Sequence, residues 1–217
     1  MKKLFPLLLV LVLFSFPTKS FAQQTPSNDE LADRLCKCME SHKRLKGFAR
    51  STKCMGKLKK HFSDLTEEQR SDKWSYVLTK LAKNCAEYHY AFAEETTKSG
   101  EWALVNKYTE TSVDSSCNDL YQYKKFYYLE PDTTWVTIKD GIWEEKIKKR
   151  YFSRLKFLKQ DSCSFDLQFI ESNHPQKKYY SQKDEIYHYT IKSKKENYFL
   201  VSITTAGVIY EFKLHFK

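Results

Sequence analysis

The 217-residue sequence predicts an α+β protein in which a disulfide-stapled three-helix bundle precedes an antiparallel eight-stranded β-meander or barrel. Three observations predict this fold class. Apolar residues recur every three or four positions up to about residue 98 and then at every second position, which are the periods of helices and strands. Six cysteines are available for disulfides. The dipeptides Asp140-Gly141 and Ala206-Gly207 are typical of tight hairpin turns.

The first 22 residues have the three parts of a signal peptide. Lys2 and Lys3 precede an apolar run of 13 residues, and a Ser-Phe-Ala sequence ending at Ala22 resembles a cleavage site. A membrane span needs roughly 20 apolar residues, so we expect cleavage after Ala22 and no transmembrane segment in the remainder. The sequence therefore predicts export to the periplasm or the medium.

Removal of residues 1–22 leaves 195 residues, enough for one large or two small domains, with a net charge of +7. All six cysteines lie in this part, which fits an oxidising compartment and up to three disulfides. We divide it into a cysteine-rich helical bundle, residues 29–99, and an antiparallel β-domain, residues 117–217.

Three helices are predicted by apolar stripes. These stripes are Leu31–Leu45, Cys54–Phe62 and Trp74–Phe92. Gly47 separates the first two helices, and Thr66 with Gln69 forms a capping box that begins the third. Ser99-Gly100 ends the third helix. Short connections favour an antiparallel bundle whose thin core needs covalent staples.

Four cysteines lie in this bundle. Cys38 and Cys54 stand eight residues either side of the turn at Lys46, level with each other in an antiparallel helix pair. This favours a Cys38–Cys54 disulfide and leaves Cys36 for Cys85, although four cysteines allow three pairings. Each bridge would stabilise the fold by roughly 2–4 kcal/mol.

Zinc binding is the alternative interpretation of the same residues. Cys38 with His42, and Cys85 with His89, are pairs four residues apart that could ligate the metal. The spacings match no zinc ribbon or finger, and an export route oxidises thiols. The sequence therefore favours disulfides, and we predict no metal site and no cofactor.

Eight strands are predicted by short aromatic and β-branched runs bounded by turn residues. They are Leu120–Leu129, Thr133–Lys139, Ile142–Arg150, Phe152–Leu158, Ser162–Glu171, Ile186–Lys192, Tyr198–Thr204 and Val208–Phe216. The clearest alternation is in the hairpin 151–171, where Phe165, Leu167 and Phe169 share a face with Cys163. We expect Cys163 to pair with Cys117, which closes a loop of about 45 residues.

The strand that begins Asp161-Ser162-Cys163-Ser164-Phe165-Asp166-Leu167 resembles a group of small secreted proteins of Gram-negative bacteria. The resemblance covers residues 117–217 and implies a lipocalin-like β-meander. The Cys-x-Cys segment at Cys36 is similar to short helical modules in exported proteins of such bacteria. Neither group brings catalytic residues that could be carried over.

The sequence favours a non-catalytic function, and an enzyme whose site is assembled only by the fold is the remaining alternative. Five well-separated glycines exclude a glycine-rich phosphate loop, and the Gly-x-Ser-x-Gly and His-Glu-x-x-His motifs are absent. Glu144 and Glu145 are adjacent in a strand, so they point to opposite faces and do not form a glycosidase pair.

Aromatic residues suggest one binding function. Six tyrosines could line the mouth of a barrel and contact a small apolar ligand. They are Tyr121, Tyr123, Tyr128, Tyr187, Tyr189 and Tyr210. Filling of a small barrel by its own side chains is the alternative. The first functional hypothesis is therefore an exported binding protein for a small apolar ligand.

Basic residues suggest a second function. The segment from residue 43 to 60 carries eight basic residues and no acid, and these could contact an anionic envelope component. They are Lys43, Arg44, Lys46, Arg50, Lys53, Lys57, Lys59 and Lys60. No nucleic-acid recognition pattern accompanies them, so nucleic acid is not an expected partner. The alternative function is an envelope interaction or scaffold protein, and a solvated helix face is the simplest explanation of the charge.

Overall fold

The structure of the protein is a computed structural model. It describes residues 26–45, 47–96, 99–105, 115–129, 132–175 and 177–217. The signal peptide predicted at residues 1–22 lies outside these described residues.

The N-terminal part is helical, as the apolar periodicity predicts. Its helices are α1 (Asn28–Ser41), α2 (Gly47–Leu58), α3 (Glu67–Asn84) and α4 (Ala86–Thr96), with a 3-10 helix (Lys59–Phe62) after α2. Capping boxes begin α1, through Ser27 and Glu30, and α3, through Thr66 and Gln69. These reciprocal hydrogen bonds satisfy the first free N–H groups of each helix.

The structure divides the predicted third helix into α3 and α4. Cys85 has an extended backbone conformation (φ −120°, ψ 103°), which redirects the chain between the two helices. Backbone hydrogen bonds continue on both sides, since the N–H of Cys85 donates to Leu81 and the N–H of Tyr88 donates to Cys85. The apolar stripe crosses this point without interruption, so the sequence carries no sign of the break.

Two disulfides staple the helices, in the pairing that the sequence favours. Cys36 is joined to Cys85 and Cys38 to Cys54, with Cα–Cα distances of 5.8 and 5.7 Å. They flank a small buried core. Its fully buried side chains include Leu31, Leu35, Met39, Phe62, Val77 and Leu81.

The C-terminal part is an eight-stranded antiparallel barrel of lipocalin-like form with one additional strand. The strands are β1 (Trp102–Val105), β2 (Lys125–Leu129), β3 (Thr133–Lys139), β4 (Ile142–Ile147), β5 (Tyr151–Lys159), β6 (Ser164–Ser172), β7 (Ile186–Lys194), β8 (Tyr198–Thr205) and β9 (Val208–Phe216). Each strand from β2 to β8 pairs with the next, and β9 pairs with β8 along its length. The barrel closes where Phe126 of β2 lies opposite Phe216 of β9.

Three local features differ from the sequence expectation. The predicted first strand is shorter, because a 3-10 helix (Ser115–Gln122) takes the place of its first half. The short strand β1 pairs with the free edge of β9. A four-residue helix, α5 (Lys177–Tyr180), lies between β6 and β7. Each of these segments is too short to show a periodic pattern.

The 3-10 helix Ser115–Gln122 closes one end of the barrel. Its residues Cys117 and Leu120 are fully buried in the barrel core. The disulfide from Cys117 to Cys163, with a Cα–Cα distance of 5.0 Å, holds it beside the start of β6. This bridge therefore links a non-repetitive segment to the sheet.

We expect the double substitution Cys117→Ser/Cys163→Ser to lower the free energy of unfolding by about 4 kcal/mol, because the bridge constrains a long loop in the unfolded chain. The bridge Cys38–Cys54 joins residues only 16 apart, so Cys38→Ser/Cys54→Ser should cost about 3 kcal/mol. Urea denaturation of both variants measures the difference. A larger loss of stability in Cys38→Ser/Cys54→Ser than in Cys117→Ser/Cys163→Ser would contradict the expectation that the bridge closing the longer loop stabilises more.

Candidate functional site

Aromatic rings fill the middle of the barrel. The ring of Trp143 lies 6.1 Å from that of Phe126, 6.0 Å from that of Phe157 and 5.7 Å from that of Phe165, between ring centroids. Phe165 in turn stacks on Tyr189 at 5.0 Å. Aromatic rings at such separations are in packing contact. The middle of the barrel is therefore a packed core.

Tyrosines also contribute to the end that the 3-10 helix closes. The hydroxyl of Tyr121 lies 3.0 Å from the carbonyl oxygen of Asp161 and 2.7 Å from that of Ser164. Burial raises the pKa of Tyr121 to about 12. Tyr123 packs against Phe216, with ring centroids 4.2 Å apart. Both side chains hold the helix against the strand ends.

The opposite end of the barrel contains a buried charge. We call it the capped end and define it by Tyr128, Trp143, Glu145 and Lys177. Glu145 Oε1 accepts hydrogen bonds from the Tyr128 hydroxyl at 2.9 Å and from Trp143 Nε1 at 3.3 Å. Lys177 Nζ, which comes from α5, donates to Glu145 Oε2 at 2.6 Å. A buried carboxylate is stable only with such partners.

The helical bundle covers the same end through polar contacts. Lys83 Nζ of α3 donates to the Tyr180 carbonyl oxygen at 3.1 Å and forms an ion pair with Glu185 at 2.6 Å. The hydroxyl of Tyr179 in α5 donates to the carboxylate of Asp72 in α3. The bundle and the barrel are therefore joined at α5 by directional hydrogen bonds.

His89 of α4 makes a further contact between bundle and barrel. Its Nε2 lies 2.6 Å from the Ala82 carbonyl oxygen, which can only accept, so Nε2 carries the proton. Its Nδ1 then accepts from the hydroxyl of Tyr210 at 2.9 Å. Burial lowers the pKa of His89, because the charged form loses its hydration.

The six tyrosines predicted to contact a ligand fall into two groups. Tyr121 and Tyr123 lie at the end closed by the 3-10 helix, as described above. The other four lie towards the capped end or in the interior. Among these, the Tyr187 hydroxyl donates to Ser181 Oγ at 2.7 Å, Tyr128 contacts Glu145, Tyr210 contacts His89, and Tyr189 stacks on Phe165. Contact of these tyrosines with a ligand stays a prediction.

An open pocket of about 610 Å³, with both apolar and polar lining, lies outside the barrel, and we call it the rim pocket. Its lining residues are Tyr90, Leu104, Val105, Thr204, Gly207, Val208 and Ile209. They come from α4, from β1 and from the β8–β9 hairpin. Ala206 and Gly207 both have positive φ (48° and 75°), as the tight two-residue turn of this hairpin requires. The ring of Tyr90 is half exposed.

The cysteines that the sequence offered as alternative zinc ligands have their sulfur atoms in disulfides. Cys38, His42 and Cys54 place their ligand atoms within 4.8 Å of one another, but Cys38 and Cys54 are bonded to each other. In the second pair, Cys85 is bonded to Cys36. Zinc binds thiolates, so these cysteines offer no such ligand in the oxidised protein.

The basic segment divides into paired and exposed residues. Arg50 is only 7 % exposed, and its guanidinium bonds to Glu87 at 2.8 Å and to two carbonyl oxygens of the α1–α2 connection. Lys43 also pairs with Glu87, at 2.8 Å. Arg50 therefore lies in the interior and not on an anion-binding surface. Lys46 lies outside the described residues.

The other basic residues of this segment are exposed, and within the described residues they form no ion pair. They are Arg44, Lys53, Lys57, Lys59 and Lys60. Burial and the neighbouring charges of Lys60, Arg34 and Lys73 lower the pKa of His61. The exposed face of α2 and the following 3-10 helix is therefore positively charged.

Among the residues that the structure describes, no helix has both the length and the apolar composition needed to cross a bilayer. Comparison with protein-family models, with curated proteins and with solved structures finds no match to this chain.

We expect the stability of the protein to fall as the pH decreases below about 7, in part through His89. An unfolded histidine has a pKa of about 6.5, and the pKa of folded His89 is lower. The unfolded state therefore binds more protons between the two pKa values, which lowers the free energy of unfolding. Urea denaturation at pH 7.5 and pH 5.5 measures this loss.

The substitution His89→Gln should make the loss between the two pH values smaller. Tyr210→Phe is the matched control, because it removes the hydroxyl partner and keeps the buried imidazole. It should lower stability at both pH values and preserve the pH dependence. If stability depends on pH equally in His89→Gln and in the native protein, His89 does not contribute to the loss of stability at low pH.

Proposed function

We propose that the protein is an exported, non-catalytic binding protein that holds a small apolar ligand in the rim pocket. The observation that carries this proposal is the volume of the pocket, about 610 Å³, which is within the range of small-molecule sites. Four aliphatic side chains line it beside the half-exposed ring of Tyr90. Such a lining suits an apolar molecule that carries at most a few polar atoms.

The packing of the barrel favours the rim pocket over the barrel interior as the ligand site. A ligand in the middle of the barrel would displace stacked rings such as Trp143 and Phe165. Displacement of packed core side chains costs several kcal/mol, by analogy with core substitutions. A ligand in the rim pocket displaces none of the stacked rings of the barrel core. The barrel then serves as a rigid support for the β8–β9 hairpin and β1.

The residues of the rim pocket support binding and not catalysis. Among its described lining residues the only ionisable side chain is that of Tyr90. Acid–base and nucleophilic catalysis both need a positioned pair of reactive groups. Export is supported by the three disulfides, which fit an oxidising compartment, together with the signal-peptide pattern of residues 1–22.

We expect Leu104→Lys to weaken binding of an apolar probe such as N-phenyl-1-naphthylamine by roughly tenfold or more, since 1.4 kcal/mol corresponds to tenfold. The reason is that a charged group must be desolvated when the probe enters. Ile209→Trp should have a similar effect by filling the pocket without a charge. Probe fluorescence measures both affinities, and native mass spectrometry of the purified protein reports any bound mass.

The matched control is Ile186→Lys, an isoleucine that is 54 % exposed on β7 and does not line the pocket. It should leave probe affinity unchanged. Thermal unfolding of each variant separates loss of binding from loss of fold. Equal affinity in Leu104→Lys, Ile209→Trp and the native protein would refute the rim pocket as the site.

The exposed lysines of α2 favour a second candidate function, contact with an anionic envelope surface. Lys60 lies in the 3-10 helix that follows α2, and Lys53 and Lys57 are four residues apart on one face of α2. The Cys38–Cys54 disulfide holds this helix against α1. Each lysine near an anionic bilayer contributes roughly 1 kcal/mol.

Binding to vesicles that contain anionic lipid tests this function. Lys53→Gln/Lys57→Gln/Lys60→Gln should weaken binding by roughly tenfold or more at low salt. Lys139→Gln/Lys156→Gln/Lys183→Gln changes the net charge equally at exposed barrel positions and should have little effect. Equal losses in the two triple variants would indicate a general charge effect and no specific surface.

A further inference from the structure

We infer that the capped end of the barrel is a binding site for a primary ammonium group, which Lys177 occupies as an internal ligand in this structure. The inference is independent of the rim pocket and of the lysine face of α2. It rests on the burial of Glu145, on the groups that surround the Lys177 ammonium, and on the element that carries Lys177.

Glu145 is a carboxylate on the inward face of a barrel whose core is built of aromatic and aliphatic side chains. It follows Trp143 and precedes Ile147 on the inward face of β4, and it is 8 % exposed. Two hydrogen bonds, from Tyr128 and Trp143, fix the position of its Oε1. A buried ion pair is often no more stabilising than apolar residues of the same volume. Stability alone therefore does not explain a carboxylate at this position.

The surroundings of the Lys177 ammonium match those of ammonium-binding sites. Its Nζ lies 2.6 Å from Glu145 Oε2, 3.3 Å from the Tyr128 hydroxyl oxygen and 6.0 Å from the Tyr128 ring centroid. A carboxylate, a hydroxyl acceptor and an aromatic face together recognise a compact cation with several N–H donors. The structure thus contains an ammonium group already bound by the site.

Lys177 belongs to α5 and not to a barrel strand. Its side chain is 26 % exposed, so the site has a path to solvent. A lysine side chain has several rotatable bonds and can place its ammonium in water. Rotation of this side chain alone, without movement of α5, would expose Glu145 to an external ammonium. The hydrogen bonds of α5 to the bundle can remain in place during such an exchange.

The distances define the chemical class of the ligand. A contact of 2.6 Å to the carboxylate requires an N–H donor, which primary alkylammonium ions provide and quaternary ammonium ions lack. The space now taken by the lysine chain suits a short unbranched alkyl group. The ligand class is therefore a primary alkylammonium, and n-butylammonium, which carries the same four-carbon chain as lysine, is the simplest probe.

The experiment follows the indole N–H resonance of Trp143 by two-dimensional NMR of the full chain during titration with n-butylammonium chloride. Trp143→Phe assigns the resonance among the four tryptophans of the sequence. In the native protein n-butylammonium must compete with Lys177. Its apparent affinity is therefore the intrinsic affinity of the site multiplied by the fraction of molecules in which Lys177 has left the site. Lys177→Ala removes the competitor and vacates the space of its chain, and it should bind n-butylammonium at least roughly tenfold more tightly.

Three controls make the result specific. Lys178→Ala removes the same charge from the neighbouring position of α5 and should leave the affinity as in the native protein. Lys177→Ala/Glu145→Gln should abolish the titration. Tetramethylammonium chloride at equal concentration should leave the Trp143 resonance unshifted in all variants. Thermal unfolding verifies that each variant is folded, and Lys177→Ser replaces Lys177→Ala if the latter does not fold.

A gain of affinity in the Lys177 variant that depends on Glu145 would establish the site. The inference is overturned if the Lys177 variant binds n-butylammonium no more tightly than the native protein, or if tetramethylammonium produces the same shift. Either result would leave the ion pair with a purely structural role in fastening α5. Binding of an apolar probe in the rim pocket should not change in any of these variants, so the two sites are tested separately.

Discussion

Closure of the sheet through β9 is the constraint on which the rest of the structure depends. This strand pairs with β8 on one edge, and on the other edge with β1 along its first half and with β2 at its end. Closure gives the backbone groups of neighbouring strands partners on both sides. It also encloses every inward side chain in the narrow interior of an eight-stranded barrel, which side chains can fill completely. The aromatic stack around Trp143 is the result.

The two ends of the closed barrel are covered in different ways. The disulfide Cys117–Cys163 fastens a 3-10 helix across one end, where Leu120 is buried. At the capped end the fastening is polar, through the pairs His89–Tyr210 and Lys177–Glu145. Directional contacts specify one arrangement because a buried polar group without its partner is costly. The potential binding sites, the rim pocket and the Glu145 site, both lie where the helical part meets the barrel.

Much of the architecture could be predicted from local pattern. The alternation of β9 is so regular that its predicted and observed bounds are the same, Val208–Phe216. Cys38 and Cys54 could be paired because they are equidistant from a turn between antiparallel helices. The break at Cys85 could not be predicted, because it interrupts the backbone and not the apolar stripe. The sequence pattern placed Arg50 among the surface charges, because its partner Glu87 lies 37 residues further along the chain and local pattern does not reveal it.

The sequence by itself determined the periods, and with them the two-part α+β organisation and the position of most strands to within two residues. It favoured the observed cysteine partners without excluding the other pairings. It also determined that Glu144 and Glu145 point to opposite faces, since side chains alternate along a strand. Only the tertiary structure decided that Glu145 is the buried one and that Lys177, 32 residues away, supplies its counter-charge. The same holds for the rim pocket, whose walls come from α4, β1 and the β8–β9 hairpin. Periodicity is a property of neighbouring residues, whereas a site built from distant segments exists only after barrel closure brings them together.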